Sequence, residues 1–413
     1  EQMRSPETAS YDLAHALYRA KVEKRPIVLN MPVNFMWQKV EHVPHVFATF
    51  SAPAYVPEGD NLDKAVGMIA SAKRPVVLAG IGAIGCVEQI QRLADRLEAP
   101  LATTLKAKGM FSKHPFNIDI FGTLSTPAAY EAIAKTDCVV AFGTSLHRFT
   151  TDNGALMRGK RVVQVNDSVT EISKNYHPDA ALVADAGLTA DNIIWWLDEA
   201  EVAPSGFTAE LDMKILTTHP QGDRDKSAPG YINFEYALDR LERALPKERF
   251  LTTDGGRFMT EVWCRVSAPN AESFIATTNF GSIGLGLQVA IGAGFAIQDR
   301  PVVLFTGDGG FMMGGINEFN TAVRTNQDLI VIVANDSAYG AEHIQFLDRK
   351  MDPGLSMFDW PSFAEIATAL GGKGVQVKSV DDLEAAIQVI ETRDRPLLIE
   401  LRLDPNAVPR MRT

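Results

Sequence analysis

The chain has 413 residues, too many for one ordinary core, so two or three domains are expected. Its 46% apolar and 22% charged residues suit a soluble globular protein, and a net charge of −11 argues against a nucleic-acid partner, which would need a basic face. No apolar run is long enough to span a bilayer, no signal peptide is visible, and Cys86, Cys138 and Cys264 form no metal or redox spacing. A cytoplasmic enzyme without nucleic-acid or membrane partners is therefore expected.

The chain begins at Glu1 without an initiator Met, in an amphipathic pattern that predicts a helix over residues 8–20. Residues 25–33 read as a short buried strand. One helix and one strand cannot bury themselves as a domain, so this stretch reads as the tail of a domain whose beginning is absent. Residues 38–58, rich in proline, read as a linker. An alternating α/β block follows, with a helix over 62–70, a strand over 75–79, a helix over 87–97, strands over 138–142 and 161–165, and a helix over 190–197. A polar stretch, Gly222-Asp-Arg-Asp-Lys-Ser-Ala-Pro229, leads into a last α/β block from Tyr231 onward. The fold class is α/β, as consecutive doubly wound parallel sheets.

Gly80-Ile-Gly82-Ala-Ile-Gly85 follows a strand and opens a helix, the layout of a dinucleotide fingerprint. Its companion acidic residue is not at the end of the next strand: Glu98 precedes the strand-like 100–104. A nicotinamide oxidoreductase using this loop is one alternative; a tight turn with no ligand is the other.

The last block concentrates the chemistry. Val302-Val-Leu-Phe-Thr-Gly307-Asp308-Gly309-Gly310 and Leu329-Ile-Val-Ile-Val-Ala-Asn335-Asp336-Ser337-Ala338-Tyr339-Gly340 each read as a buried parallel strand ending in a polar loop. Open α/β sheets place their ligands at such strand ends, and these two offer oxygen ligands beside a glycine-rich turn, which suits Mg²⁺ and a diphosphate. Upstream stand Leu251-Thr-Thr-Asp254-Gly255-Gly256-Arg257-Phe258 and Phe280-Gly281-Ser282-Ile283-Gly284, a third strand end and a further glycine turn.

In this order the loops resemble the thiamine diphosphate enzymes, whose signature is Gly-Asp-Gly, a spacer of this size, then Asn-Asn or Asn-Asp. The branch resembled is that of acetolactate synthases and 2-oxo acid decarboxylases. The resemblance implies residues 1–37 as the end of a pyrimidine-binding domain, 59–200 as the central domain, 201–230 as a linker, and 231–413 as the domain binding diphosphate and magnesium. It implies thiamine diphosphate and Mg²⁺ as cofactors, a 2-oxo acid, aldehyde or ketone as substrate, decarboxylation or carboligation as the reaction, and a homodimer or homotetramer. A flavin in the central domain, as in acetolactate synthases, is an option that no residue here supports.

The resemblance also implies roles. Asp308 is the first metal ligand. Gly307, Gly309 and Gly310, with Gly281 and Ser282, let the backbone approach the cofactor, while Gly255, Gly256 and Arg257 line the diphosphate. Ile283 takes the position of the bulky apolar residue that bends the cofactor. Counting without gaps from Asp308 makes Asn335 the second ligand, with the Ser337 carbonyl. Counting back from Tyr339-Gly340 makes it Asp336, with the Ala338 carbonyl. The second register is favoured, because Glu318 also sits one residue late, and Asn335 then turns the loop.

In that register Glu342 falls where the pyruvate decarboxylase branch carries an acid over the thiazolium. Partly desolvated, a glutamate there would have a raised pKa, suited to protonating the intermediate left by decarboxylation; otherwise it is a solvated residue at a helix start. His343 reads as a packing or surface histidine, and Phe346, Met357, Phe358 and Trp360 as the lining of an apolar pocket or the packing of a lid. The family's activating glutamate belongs to the segment before Glu1, which leaves a cofactor-binding but catalytically incomplete protein as a further alternative.

Overall fold

The computed structural model describes residues 1–23, 25–41, 54–220, 222, 224 and 227–409. These divide into two compact units, Glu1–Ala54 and Tyr55–Thr413.

The first unit carries the expected helix, Ala9–Val22, whose Asp12 carboxylate accepts hydrogen bonds from the Thr8 hydroxyl (2.7 Å) and the Arg4 amide (2.9 Å). The buried strand expected over 25–33 does not form. Residue Asn30 makes a single bridge to Gln2, and Val28 and Val33 are 79% and 70% exposed. Pro26 and Pro32 each lack an N–H for a ladder, and the described residues of this unit offer no sheet to join. Most of the linker expected over 38–58 lies outside the described residues.

The second unit holds two six-stranded sheets, in every pair of which the strands run parallel. The first contains β1 (Pro75–Ala79), β2 (Leu101–Thr103), β3 (Asn117–Ile120), β4 (Cys138–Phe142), β5 (Arg161–Asn166) and β6 (Ala180–Val183), in the order β3-β2-β1-β4-β5-β6. The second contains β7 (Phe250–Thr253), β8 (Phe274–Ala276), β9 (Val302–Gly307), β10 (Leu329–Asn335), β11 (Lys373–Val377) and β12 (Leu397–Arg402), in the order β11-β12-β10-β9-β7-β8. This is the expected pair of doubly wound parallel sheets.

Alternation along the inner strands explains why both faces are covered. From β10, Ile330, Ile332 and Ala334 enter one core, while Leu329, Val331 and Val333 enter the core on the opposite face. In the first sheet, Val77 and Ala79 face one core and Val76 and Leu78 the other. Helices close these faces from sequence-encoded starts: Asn233 caps Phe234–Ala244 by accepting from the Tyr236 amide, and Asp185 caps Ala186–Glu199 by accepting from Leu188.

The order of the second sheet reverses between β7 and β9. The chain leaves β7 for β8 on one side and returns through β9 on the other, so the crevice for a ligand opens at their carboxyl ends. Asp254 follows β7 and Asp308 follows β9.

Candidate functional site

Asp308 and Asp336 follow adjacent strands, β9 and β10, and are buried, with 2% and 6% exposure. Burial raises the Asp308 carboxyl to about 8, and the neighbouring Asp336 charge adds to the effect. Burial likewise raises Asp336, to about 6, with the Arg257 guanidinium acting the other way. Two carboxylates withdrawn from water and facing each other repel unless a cation lies between them. No three His, Cys, Asp or Glu side chains converge among the described residues. The donor set is two carboxylates and a backbone carbonyl, which fits a hard divalent cation whose remaining ligands are phosphate oxygens and water.

The loop after β10 engages Asn335 and Asp336 differently. Asn335 is fully buried; its amide donates to Glu400 Oε1 (2.8 Å), and its Oδ1 accepts from the Ser337 amide (3.0 Å). Both ends of that side chain are committed to the fold. Asp336 instead lies 3.8 Å from Arg257 Nη1. Ser337 takes φ +56°, which turns the chain so that the Ala338 amide reaches Asp308 Oδ2 at 3.1 Å.

Arg257 was expected to line the diphosphate. It is buried, and its guanidinium donates to the carbonyls of Pro405 (2.6 Å), Val408 and Pro409 (3.2 Å), fastening the C-terminal segment. Glu342, in the first turn of the helix Gly340–Asp348, is exposed, so this chain does not supply the expected partial desolvation. His343 beside it is buried, and its ring nitrogens find no hydrogen-bond partner among the described residues.

The glycines of the turns are required by the protein's own packing. A Cβ on Gly309 would fall 2.6 Å from the Tyr339 ring, and one on Gly310 2.8 Å from the Asp254 carboxylate. One on Gly255 would lie 3.1 Å from the Ser282 carbonyl, and one on Gly256, at φ +149°, would meet the Phe258 ring at 2.9 Å. Ile283 stands among these turns, its side chain near Gly255 and Gly310, and is 42% exposed. Gly281, at φ +68°, and the fully exposed Phe280 precede it. Gly307 ends β9, and Gly340 opens the helix beside Asp336, where a Cβ would come within 2.6 Å of Asp336 Oδ2.

Three residues central to this architecture were not identified as such from the sequence. Asp254 is 1% exposed and accepts from the amides of Gly255 (2.8 Å) and Gly284 (3.0 Å) and from the Thr306 hydroxyl (3.3 Å), tying three loops together. Its acidic strand-end position beside two glycines was the available signal. Glu400 is fully buried and accepts from Asn335, Ser362, Ala364 and Gln376. Trp360 donates from Nε1 to Asp308 Oδ2 at 3.0 Å, a contact across 52 positions that no local pattern announces.

The Gly80 loop has a different explanation. A Cβ on Gly80 would lie 2.4 Å from the Gly143 carbonyl oxygen, and one on Gly143, at φ +60°, 2.4 Å from the Ala83 amide. These glycines let two neighbouring loops of the first sheet touch, and residues Ile81–Cys86 wind as a 3-10 helix. A separate cavity of about 230 Å³, lined among others by Arg74, Glu131, Lys135 and Glu210, includes none of the residues singled out above.

Residues 62–193 match the family described as thiamine pyrophosphate enzyme, central domain, and residues 254–401 match its C-terminal TPP binding domain. The chain belongs to the thiamine pyrophosphate enzymes. Among curated members it is 29% identical to a sulfoacetaldehyde acetyltransferase of Alcaligenes xylosoxydans xylosoxydans, over 90% of this chain and 66% of that protein. It is 26% identical to a probable acetolactate synthase large subunit of Methanococcus aeolicus (86% and 62%) and 27% to a probable 2-ketoarginine decarboxylase of Pseudomonas aeruginosa (94% and 68%). The chain thus spans about two thirds of the length of these relatives. The crystal structure of benzoylformate decarboxylase from Polynucleobacter necessarius shares the fold, with a TM-score of 0.74 at 19% identity, over 98% of this chain and 75% of that one. Among the described residues, no helix of this family member is long and apolar enough to cross a membrane.

Proposed function

We propose that this chain binds thiamine diphosphate through Mg²⁺ and serves in the decarboxylation of a 2-oxo acid, in carboligation, or in both. The observation that carries this reading is the pair of buried carboxyl groups, Asp308 and Asp336, at adjacent strand ends beside the switch point, which burial keeps from ionising together without a cation. In this reading Asp308, Asp336 and the Ala338 carbonyl hold the cation, because Asn335 is spent on Glu400 and Ser337. Bound there, thiamine diphosphate supplies a carbon nucleophile and an electron sink that lets a 2-oxo acid lose CO₂. The protein's share is to hold the metal, to press Ile283 against the cofactor, and to deliver a proton. Glu342 is proposed as the proton donor, with its carboxyl desolvated by a covering subunit.

A second copy of the chain fits that requirement. Phe280 and Leu285 border the turn and are 106% and 45% exposed, an apolar rim that a partner would cover. We propose a homodimer or homotetramer on the strength of that rim, and, in line with the sequence reading, a cytoplasmic protein with the central domain at 59–200 and the cofactor domain at 231–413. The substrate is a small 2-oxo acid or an aldehyde, in line with the varied reactions named for its relatives.

The test is calorimetric titration of thiamine diphosphate with and without Mg²⁺, on the protein and on Asp308→Ala, followed by a screen of 2-oxo acids. Metal-dependent binding that Asp308→Ala abolishes is expected. Binding that ignores both the metal and the substitution refutes the reading. In the screen, Glu342→Gln is expected to shift products from aldehyde toward carboligation; an unchanged ratio removes Glu342 from the proton step.

A further inference from the structure

The loop that would supply two of the metal's ligands is not held by its own strand alone. Residues Ser337–Tyr339 pair with Ser356–Phe358 as a short antiparallel ladder: the Phe358 amide donates to the Ser337 carbonyl (2.8 Å), the Tyr339 amide donates to the Ser356 carbonyl (2.9 Å), and Ala338 bridges Met357. The rings continue the contact. Tyr339 meets Phe358 at 4.4 Å between centroids, and Phe358 stacks on Trp360 at 4.5 Å and 17°. That stack delivers the Trp360 indole N–H to Asp308 Oδ2 at 3.0 Å, the same oxygen that accepts from the Ala338 amide at 3.1 Å. At its far end the segment is anchored by Ser362, whose hydroxyl donates to Glu400 (3.3 Å), the carboxylate that also fixes Asn335.

Resting on the metal reading above, the geometry points to residues Ser356–Trp360 as a strap that positions the metal site, with Trp360 as its positioning residue. Two donors already engage Asp308 Oδ2, so the carboxylate is held in one orientation and would offer a cation only the lone pairs they leave. The strap also fixes the Ala338 backbone, so one segment sets the direction of the carboxylate and of the carbonyl. Hydrogen bonds to a ligand from outside the coordination sphere act in this way, orienting the donor and raising its effective affinity.

The test measures Mn²⁺ in place of Mg²⁺, reading free Mn²⁺ by electron paramagnetic resonance at saturating thiamine diphosphate. Trp360→Phe keeps the ring on Phe358 and removes only the N–H; Mn²⁺ affinity is expected to fall on the order of 10–100-fold, with the melting temperature of the metal-free protein retained. Phe358→Leu, which removes the ring that aims the indole, is expected to weaken Mn²⁺ in the same direction and serves if Trp360→Phe does not fold. Unchanged Mn²⁺ affinity in the folded variants overturns the strap, and so does a lowered melting temperature with affinity intact. Asp308→Ala separates the two readings. Loss of Mn²⁺ there beside wild-type binding in Trp360→Phe refutes the strap alone, whereas retained Mn²⁺ in Asp308→Ala refutes the metal site itself.

Discussion

Replacing Asp308 by asparagine is expected to stabilise the metal-free protein while removing an anionic ligand from the proposed metal site. In the folded chain this carboxyl is raised from 3.8 to about 8, chiefly by burial and next by Asp336. Unfolded, it would ionise near pH 3.9. At pH 7 the folded acid therefore retains a proton that the unfolded chain has lost. The interval of about three pH units, at about 1.4 kcal/mol each, makes this group cost the fold about 4 kcal/mol. Asparagine keeps an oxygen to accept from Ala338 and Trp360 but carries no such penalty. The sign follows from linkage: an acid raised on folding favours the native state at low pH and loses that advantage as pH climbs through the folded value. The advantage of Asp308→Asn should thus shrink as the pH falls toward the unfolded value. Thermal unfolding in EDTA at pH 7 should show the variant melting several degrees above the wild type, with a smaller gap at pH 5. Adding Mg²⁺ and thiamine diphosphate should raise the wild type more than the variant. A variant that melts below the wild type in EDTA at pH 7, or a gap that widens toward pH 5, refutes the reasoning.

Asn335→Ala should cost about 2 kcal/mol by leaving the buried Glu400 short of a donor, and should leave Mn²⁺ affinity within a factor of a few; a selective loss of metal with stability intact would restore Asn335 as the ligand. Ile283→Ala is expected to lower turnover on the order of a hundredfold while thiamine diphosphate still binds, because a misaimed cofactor loses rate before affinity; equal turnover in steady-state assays would remove Ile283 from the cofactor's support. Gly143→Ala should destabilise by about 3 kcal/mol, since its backbone is left-handed and the added carbon would meet the Ala83 amide. NADH fluorescence titrated against the unaltered protein should show no binding at the Gly80 loop, and saturable quenching would revive the oxidoreductase alternative.

The inner strands were legible because burial on both faces writes itself as a run of β-branched residues, as in β9 and β10. The edge strands β3, β6, β8 and β11 carry no such run. In β11 only Val377 is fully buried, and in β8 Ile275 lies open to solvent, so alternation is too weak to distinguish them from loop. The strand expected at residues 25–33 failed for the opposite reason: the residues were apolar, but no neighbouring strand among those described completes a ladder. At the site, Asp308 and Asp336 could be read because acids ending apolar strands stand out. Arg257 and Trp360 could not be placed, since their partners, the carbonyls of 405–409 and the Asp308 carboxylate, lie far along the chain.

The rim of Phe280 and Leu285 sets a condition on how this molecule can be handled. Covering the fully exposed Phe280 ring would release roughly 1.5–3 kcal/mol, and the half-exposed Leu285 a share of that. A surface that releases its free energy only on association makes the finished site subject to mass action. Specific activity would then depend on protein concentration, falling on dilution with a lag set by dissociation and returning on concentration. An inhibitor shaped to that rim could act by keeping copies apart, without entering the cofactor crevice.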